Sequence, residues 1–163
     1  MKKKFIILFS MLIFSAVFPA ATFALPDVVV TAIATGAPSF INASEANVPL
    51  TVTIMNIGDA TSTRFKLSVD VIDSSGKYVK PFTVPGQSDR WYPRKTGLAR
   101  GESYSFRGTL YIGIPRGPSL HGQRITIIPY VDSCSGEEFM PDYCKIRESN
   151  ERNNTNQRMV TLP

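Results

Sequence analysis

The chain has 163 residues, with 18 lysines and arginines against 13 aspartates and glutamates and a formal charge of +5. Three of the lysines, Lys2 to Lys4, precede an apolar run, so the rest of the chain carries 15 basic against 13 acidic side chains. This near balance excludes a strongly basic nucleic-acid-binding protein. The single histidine, His121, lies far in sequence from the two cysteines, which argues against a zinc site.

The first 24 residues have the layout of a secretory signal peptide. Lys2 to Lys4 are followed by an apolar run at 5–18 and by a small-residue stretch that ends at Ala24. The run is short for a bilayer span and a cleavage site follows it, which favours a removed signal peptide over an uncleaved membrane anchor. We therefore expect a mature domain at 25–163 without a membrane span, secreted, periplasmic or at the cell surface.

Short stretches of alternating apolar and polar residues follow the signal peptide. DVVVTAI at 27–33 is rich in β-branched residues, and in PLTVTIMNI at 49–57 every second residue is apolar. Residues 65–72 alternate in the same way, and Ser-Ser-Gly at 74–76 turns the chain toward a further strand at 78–84. These stretches predict consecutive antiparallel strands.

Period-two patterning returns after a loop at 85–100. It covers 104–112, and the next strand is predicted at 124–132, where Pro129 suggests a sheet edge or a bulge. A last strand at 157–162 closes the chain. About seven short strands, separated by turn residues and without a helical period, predict an all-β, immunoglobulin-like antiparallel β-sandwich.

Four groups of residues resemble the cell-adhesion-related domain found in bacteria (CARDB), an immunoglobulin-like module. PDVVV at 26–30 resembles the start of that domain, and VTIMNIGDA at 52–60 resembles its V-x-V-x-N-x-G-x-A strand and turn. LARGES at 98–103 is similar to its L-x-x-G-x-S approach to a strand, and VD at 131–132 with ESNERNN at 148–154 resembles its ending. The resemblance implies a non-catalytic extracytoplasmic module.

The chain departs from this family pattern between Asp132 and Glu148, where a short turn is replaced by a longer loop. The loop contains Cys134 and Cys144, the only cysteines of the chain. In an exported protein two such cysteines are more often a disulfide than a metal pair. The small ring that they close stabilises the fold by about 2–3 kcal/mol on the chain-entropy account.

A dense group of acids and amides follows the loop. Asp132, Glu148, Glu151 and Asn154 offer the oxygen ligands that calcium prefers. The alternative is that these side chains satisfy backbone groups at the entrance to the last strand. An EF-hand pattern is absent and the spacing does not force the oxygens onto one point, which favours the structural role. Calcium is the one cofactor that the sequence leaves open.

A second group of residues suggests a contact with a partner. Arg90, Trp91, Tyr92 and Arg94 stand close together in the loop before the second half of the domain. Aromatic and arginine side chains are the usual anchors of protein contacts, and aromatic rings also stack on sugars. The alternative is that Trp91 plugs the end of the sandwich while the arginines face water.

The sequence offers little for catalysis. His121 has no nucleophile elbow beside it, and the adjacent acids Glu137 and Glu138 lack an aromatic cleft that would raise the pKa of one of them. The residues therefore predict an exported, non-catalytic binding or adhesion module that recognises a protein or glycan at the cell envelope. A calcium-stabilised structural module and, less favoured, a small secreted hydrolase are the alternatives.

The disulfide is directly testable. We expect Cys134 and Cys144 to be joined in the exported protein, so thiol labelling of unreduced, denatured protein should modify neither. Cys134→Ser should loosen the loop more than the sandwich, because the ring lies outside the predicted strands. Labelling of both cysteines, or complete unfolding of the Cys134→Ser variant, would show that the pairing or its place in the fold is wrong.

Overall fold

The computed structural model describes residues 24–77, 79, 81–82, 94–113, 116–132, 146–150 and 152–163. Residues 1–23, which make up all of the predicted signal peptide except Ala24, lie outside these ranges, as do Arg90, Trp91, Tyr92, Cys134, Cys144 and Glu151. What the sequence predicts for them stays a prediction. In the described ranges no helix is long and apolar enough to cross a membrane.

The described residues form nine β-strands. In chain order these are β1 (Val28–Thr35), β2 (Ser39–Asn42), β3 (Glu45–Asn56), β4 (Phe65–Asp73), β5 (Pro81–Phe82), β6 (Arg94–Lys95), β7 (Ser103–Gly113), β8 (Arg124–Val131) and β9 (Arg158–Thr161). One sheet has the order β1-β3-β7-β5, with β2 paired to β3, and the other has the order β6-β4-β8-β9. Every pairing is antiparallel, which confirms the predicted all-β sandwich.

The hydrophobic core lies between the two sheets and follows the period-two pattern. In β3 every second residue from Ala46 to Ile54 is buried, and the intervening residues are exposed or half-buried. The aromatic rings of Phe65 in β4 and Phe106 in β7 meet edge to face across the two sheets, with centroids 6.5 Å apart. Each sheet therefore buries one face against the other, as an antiparallel sandwich requires.

The chain changes sheets after β4. The Asp73 carboxylate accepts a hydrogen bond from the Ser75 hydroxyl, which lowers the pKa of Asp73, and further bonds from backbone N–H groups of the turn. The turn brings the Val79 N–H to the Val71 carbonyl at 2.8 Å. β5 then pairs with β7 of the opposite sheet. Of the return strand predicted beside β4 at 78–84, Val79 thus contacts β4 as expected, whereas Pro81 and Phe82 pair with β7 instead, because alternation marks a strand but not its neighbour.

Pro129 lies in an interior strand, between β4 and β9, and not in an edge strand. It stands opposite Val69 of β4 in unbroken register, so the predicted bulge is absent from this pair. The β9 ladder, however, reaches only from Arg124 to Ile127 of β8. Pro129 lies beyond that ladder, where a residue without an N–H group is tolerated, and its carbonyl accepts the Thr155 hydroxyl at 2.9 Å.

β1 is the terminal strand of the first sheet, and its pairing with β3 is irregular. The register shifts between Val30 and Ala32, and the Thr31 hydroxyl donates to the Thr53 carbonyl at 3.2 Å. The Val30 carbonyl accepts the side-chain amide of Asn156 at 3.3 Å. A bulge and a side-chain cap thus interrupt the outer edge of this strand.

Asn56, at the end of β3, is fully buried and joins three stretches of backbone through four side-chain hydrogen bonds. Its Oδ1 accepts the N–H groups of Asp27 (3.0 Å) and Gly58 (3.1 Å). Its Nδ2 donates to the carbonyls of Ala60 (2.7 Å) and Leu98 (2.9 Å). All four hydrogen bonds that a carboxamide can make with two donors and one acceptor oxygen are present, and each serves a backbone group.

Replacing Asn56 should therefore destabilise the domain strongly. Asn56→Ala leaves four backbone groups without their partner, and we expect a loss of about 3 kcal/mol or more in the free energy of unfolding. Urea denaturation of the purified protein measures this loss. Gln157→Ala, at an exposed position, is the control and should change stability by no more than about 0.5 kcal/mol. Similar effects of both substitutions would contradict the role given to Asn56.

Candidate functional site

Five polar residues from opposite ends of the described chain meet at the start of β1. We call them the clasp: Asp27, Glu148, Ser149, Asn153 and Asn154. The contacts that join the two parts span 120 to 126 positions in sequence. The acid and amide motif that the sequence singled out at 148–154 is therefore brought against the first residues of the domain.

Glu148 is only 5% exposed and holds the first residue of β1. Its Oε1 accepts the Val28 N–H at 2.6 Å, and its Oε2 accepts the side-chain amide of Asn154. The Asn154 carbonyl in turn accepts the Val131 N–H at 2.9 Å, at the end of β8. A charged acceptor for a buried N–H group is stronger than a neutral one, so Glu148 links the two sheets through backbone contacts.

Asp27 supplies the second carboxylate of the clasp and is 7% exposed. Its Oδ1 accepts the side-chain amide of Asn153 at 2.9 Å, and its Oδ2 accepts the Ser149 hydroxyl at 3.0 Å. The Ser149 N–H donates to the Pro26 carbonyl at 2.9 Å. Sequence reasoning missed Asp27 as a site residue; the signal was its place in the PDVVV stretch that resembles the start of a CARDB domain.

Asp132 is not part of the clasp and makes a separate backbone contact. It adopts a left-handed backbone conformation, with φ of 56°, directly after β8. Its Oδ2 accepts the Ile146 N–H at 2.7 Å. Asp132 thus fixes the two points at which the chain leaves for and returns from residues 133–145. Of the four residues predicted for calcium, the structure joins Glu148 and Asn154 directly, whereas Glu151 lies outside the described residues.

The clasp has features of both predicted roles. Among the described residues no three His, Cys, Asp or Glu side chains group in a way that would hold a metal ion. Both oxygens of Asp27 and of Glu148 accept hydrogen bonds, which fits the structural role. The amide oxygens of Asn153 and Asn154 are buried and accept no hydrogen bond from the described chain. These two oxygens are of the type that a hard cation takes as ligands.

His121, the single histidine, contacts β2 and the residue at position 163. Its ring stacks on Phe40, with centroids 3.8 Å apart, and its Nδ1 lies 3.2 Å from the Pro163 carbonyl. His121 therefore has contacts of a structural kind, with an aromatic ring and a backbone carbonyl.

Elsewhere in the domain, a hydrogen bond to Glu45 raises the pKa of Tyr111.

Of the four predicted partner-binding residues, the structure describes only the backbone of Arg94. Arg94 opens β6, whose two residues pair with Lys66 and Phe65 of β4. β6 is the terminal strand of the second sheet, so the backbone places Arg94 at a lateral edge of the sandwich. An exposed aromatic side chain of the described residues is Tyr104 of β7, in the other sheet, which is 41% exposed and contacts Phe106 edge to face at 4.9 Å.

Comparison with known proteins gives matches to solved structures. No family model and no curated protein matches the chain. The chain is similar to the CARDB domain of the PF1109 protein from Pyrococcus furiosus, solved in complex with di-metal ions, at 21% identity and a TM-score of 0.44. The match covers 86% of this chain and 96% of that one. CARDB is the family that the sequence motifs resemble.

Other matches are to parts of large glycosidases. A putative β-galactosidase from Bacteroides fragilis matches at 11% identity and a TM-score of 0.44, over 83% of this chain. The β-glucuronidase of Parabacteroides merdae matches at 14% identity and a TM-score of 0.46, also over 83% of this chain. The matched part is 16% of the first enzyme and 13% of the second.

Stability measurements distinguish the two roles of the clasp. If the clasp is structural, Asn154→Ala should cost about 1–2 kcal/mol through its lost hydrogen bond to Glu148, with or without calcium. If it binds calcium, the protein should gain roughly 2.7 kcal/mol at a hundredfold excess over Kd, and Glu151→Gln should abolish the gain. We expect the first result in thermal melts with calcium and with chelator. A calcium-dependent rise in Tm that Glu151→Gln removes would establish the second.

Proposed function

We propose that this protein is an exported, non-catalytic immunoglobulin-like module that recognises a protein or glycan at the cell envelope. One observation carries the proposal: the described side chains that the sequence offered for chemistry are engaged with backbone. Glu148 accepts the Val28 N–H, Asp132 accepts the Ile146 N–H, and His121 contacts the terminal carbonyl. Side chains that bind the backbone in this way stabilise the domain. We therefore expect recognition to use other residues, at the surface of the domain.

The place that we propose for recognition is the edge of the second sheet at β6. Arg94 begins that strand, and Arg90, Trp91 and Tyr92 precede it in sequence. An aromatic and arginine-rich segment that leads into an edge strand offers ring stacking, bidentate hydrogen bonds and free backbone groups to a partner. These are the interactions used with both extended peptides and sugars.

A second candidate function is a calcium-stabilised structural module of the periplasm or surface. It is favoured by one observation, the two buried amide oxygens of Asn153 and Asn154 that accept no hydrogen bond in the described chain. They belong to the same cluster as the carboxylates of Asp27 and Glu148. The calcium melts with Asn154→Ala and Glu151→Gln test this candidate.

Binding to isolated envelope material tests the first proposal. The processed protein should bind envelope fractions of its own cell, and Trp91→Ala and Arg94→Ala should each weaken binding by about tenfold or more, the effect of a central anchor residue. Arg158→Ala, at an exposed position of β9, is the matched cation control and should bind normally. Competition with purified envelope polysaccharide separates a glycan from a protein partner.

Two outcomes would count against this proposal. One is equal binding by the protein and its Trp91 and Arg94 variants, which would move recognition away from β6. The other is turnover of glycosidic or ester substrates that survives repeated purification and is lost on substitution of an acid such as Glu137. That result would make the protein a hydrolase.

A further inference from the structure

The residues directly after the predicted cleavage point are built into the folded domain. Ala24 is exposed, Leu25 is half-buried, and Pro26 and Asp27 are buried. The Leu25 carbonyl accepts the N–H groups of Asp59 (3.0 Å) and Ala60 (3.3 Å). Leu25, the first residue after the bond that a signal peptidase is expected to hydrolyse, is therefore already held by the domain.

The next residues continue this anchoring without a gap. The Pro26 carbonyl accepts the Ser149 N–H at 2.9 Å, and the Val28 N–H donates to Glu148. Asp27 donates its N–H to Asn56 and accepts the Ile57 N–H at 2.8 Å through its carbonyl. Each residue from 25 to 28 thus uses at least one backbone group in the fold.

Gly58 shows how closely this segment is packed. A Cβ at Gly58 would collide with the backbone nitrogen of Asp27 and with the carbonyl oxygen of Leu25. The segment therefore packs directly against the turn after β3, and no room is left for another chain between them. On this side, a peptidase can reach the backbone of residues 25–27 only after they leave the domain.

A peptidase that binds both sides of the scissile bond would use the backbone N–H and C=O groups of residues 25–28. Proteases bind the chain in an extended form on both sides of the scissile bond, through backbone hydrogen bonds of the β-augmentation type. Hydrolysis then adds water to the Ala24–Leu25 amide, breaks its C–N bond, and leaves a carboxylate on Ala24 and an ammonium group on Leu25. The peptidase supplies the nucleophile and the proton transfers.

We infer that hydrolysis of the Ala24–Leu25 bond precedes the closing of the clasp, and that the folded preprotein is protected from the peptidase. This inference rests on the proposed export of the protein. Six residues, 19–24, separate the apolar run from Leu25. A chain held at the membrane by its apolar run cannot present this bond in extended form and keep residues 25–28 docked on Asn56 and Glu148.

Signal peptidase digestion of the full chain, residues 1–163, in detergent micelles tests the order of events. One sample is refolded before the enzyme is added, and the other is diluted from urea directly into the enzyme. Cleavage of a folded protein follows the population of the open form. We therefore expect the refolded preprotein to be cut on the order of tenfold more slowly, or slower still. Mass spectrometry identifies the new terminus at Leu25.

A clasp variant and a matched control localise the protection. Glu148→Ala removes the acceptor of the Val28 N–H and should raise the cleavage rate of refolded preprotein above that of the refolded wild type. Asp73→Ala removes a carboxylate that also accepts backbone N–H groups, but in the turn after β4. It should leave the protection of the Ala24–Leu25 bond intact. Near-ultraviolet circular dichroism shows whether each variant folds.

The outcomes separate this inference from the proposed export. Failure of the peptidase to cut even the unfolded chain after Ala24 would refute the signal peptide and the export that depends on it. Equal cleavage of refolded and unfolded preprotein would overturn the inference while leaving export intact. Equal protection in Glu148→Ala and Asp73→Ala would remove the clasp as its cause. If Glu148→Ala does not fold, the comparison of the two wild-type samples decides alone.

Discussion

The side chain of Asn56 is the constraint on which the rest of this domain depends. A buried carboxamide is stable only when its donors and acceptor are satisfied, and Asn56 meets that condition with four backbone groups from three stretches of chain. Those stretches are the start of the domain, the turn after β3, and the approach to β7. Because the bond to Asp27 also sets Val28 opposite Asn56, this one residue fixes the register of β1 on β3.

The clasp depends on that register. With Val28 in place, its outward N–H group lies where Glu148 accepts it, and Asp27 lies where Ser149 and Asn153 donate to it. These contacts close a loop of more than 100 residues, which is among the entropically costly steps of folding. We therefore regard the clasp as a late event in folding, after the hairpin-like contacts within each sheet. The carboxylates of Asp27 and Glu148 are stable in this buried place because N–H and O–H donors replace the lost water.

The sequence predicts the strands of this domain better than their partners. Alternation in residues 49–57 and 104–112 indicates β3 and β7 because burial of one sheet face requires period two. It does not indicate that β5 crosses to β7, since that choice depends on how the two sheets meet. The density of acids and amides at 148–154 marks a site, but the acceptor role of Glu148 needs a donor 120 positions away. The one local signal for Asp27 is its place in the PDVVV stretch, and that stretch does not indicate which donors the carboxylate meets.

The interrupted edge of β1 affects how neighbouring copies of the domain can associate. A terminal strand with a regular ladder of free N–H and C=O groups recruits strands from neighbouring molecules, which leads to edge-to-edge aggregation. Here the register shift between Val30 and Ala32 breaks the spacing of that ladder, and the Asn156 amide already occupies the Val30 carbonyl. An incoming strand would have to break this contact and match a bulge at the same point. Copies of the domain at high local concentration can thus lie side by side without joining their sheets along this edge.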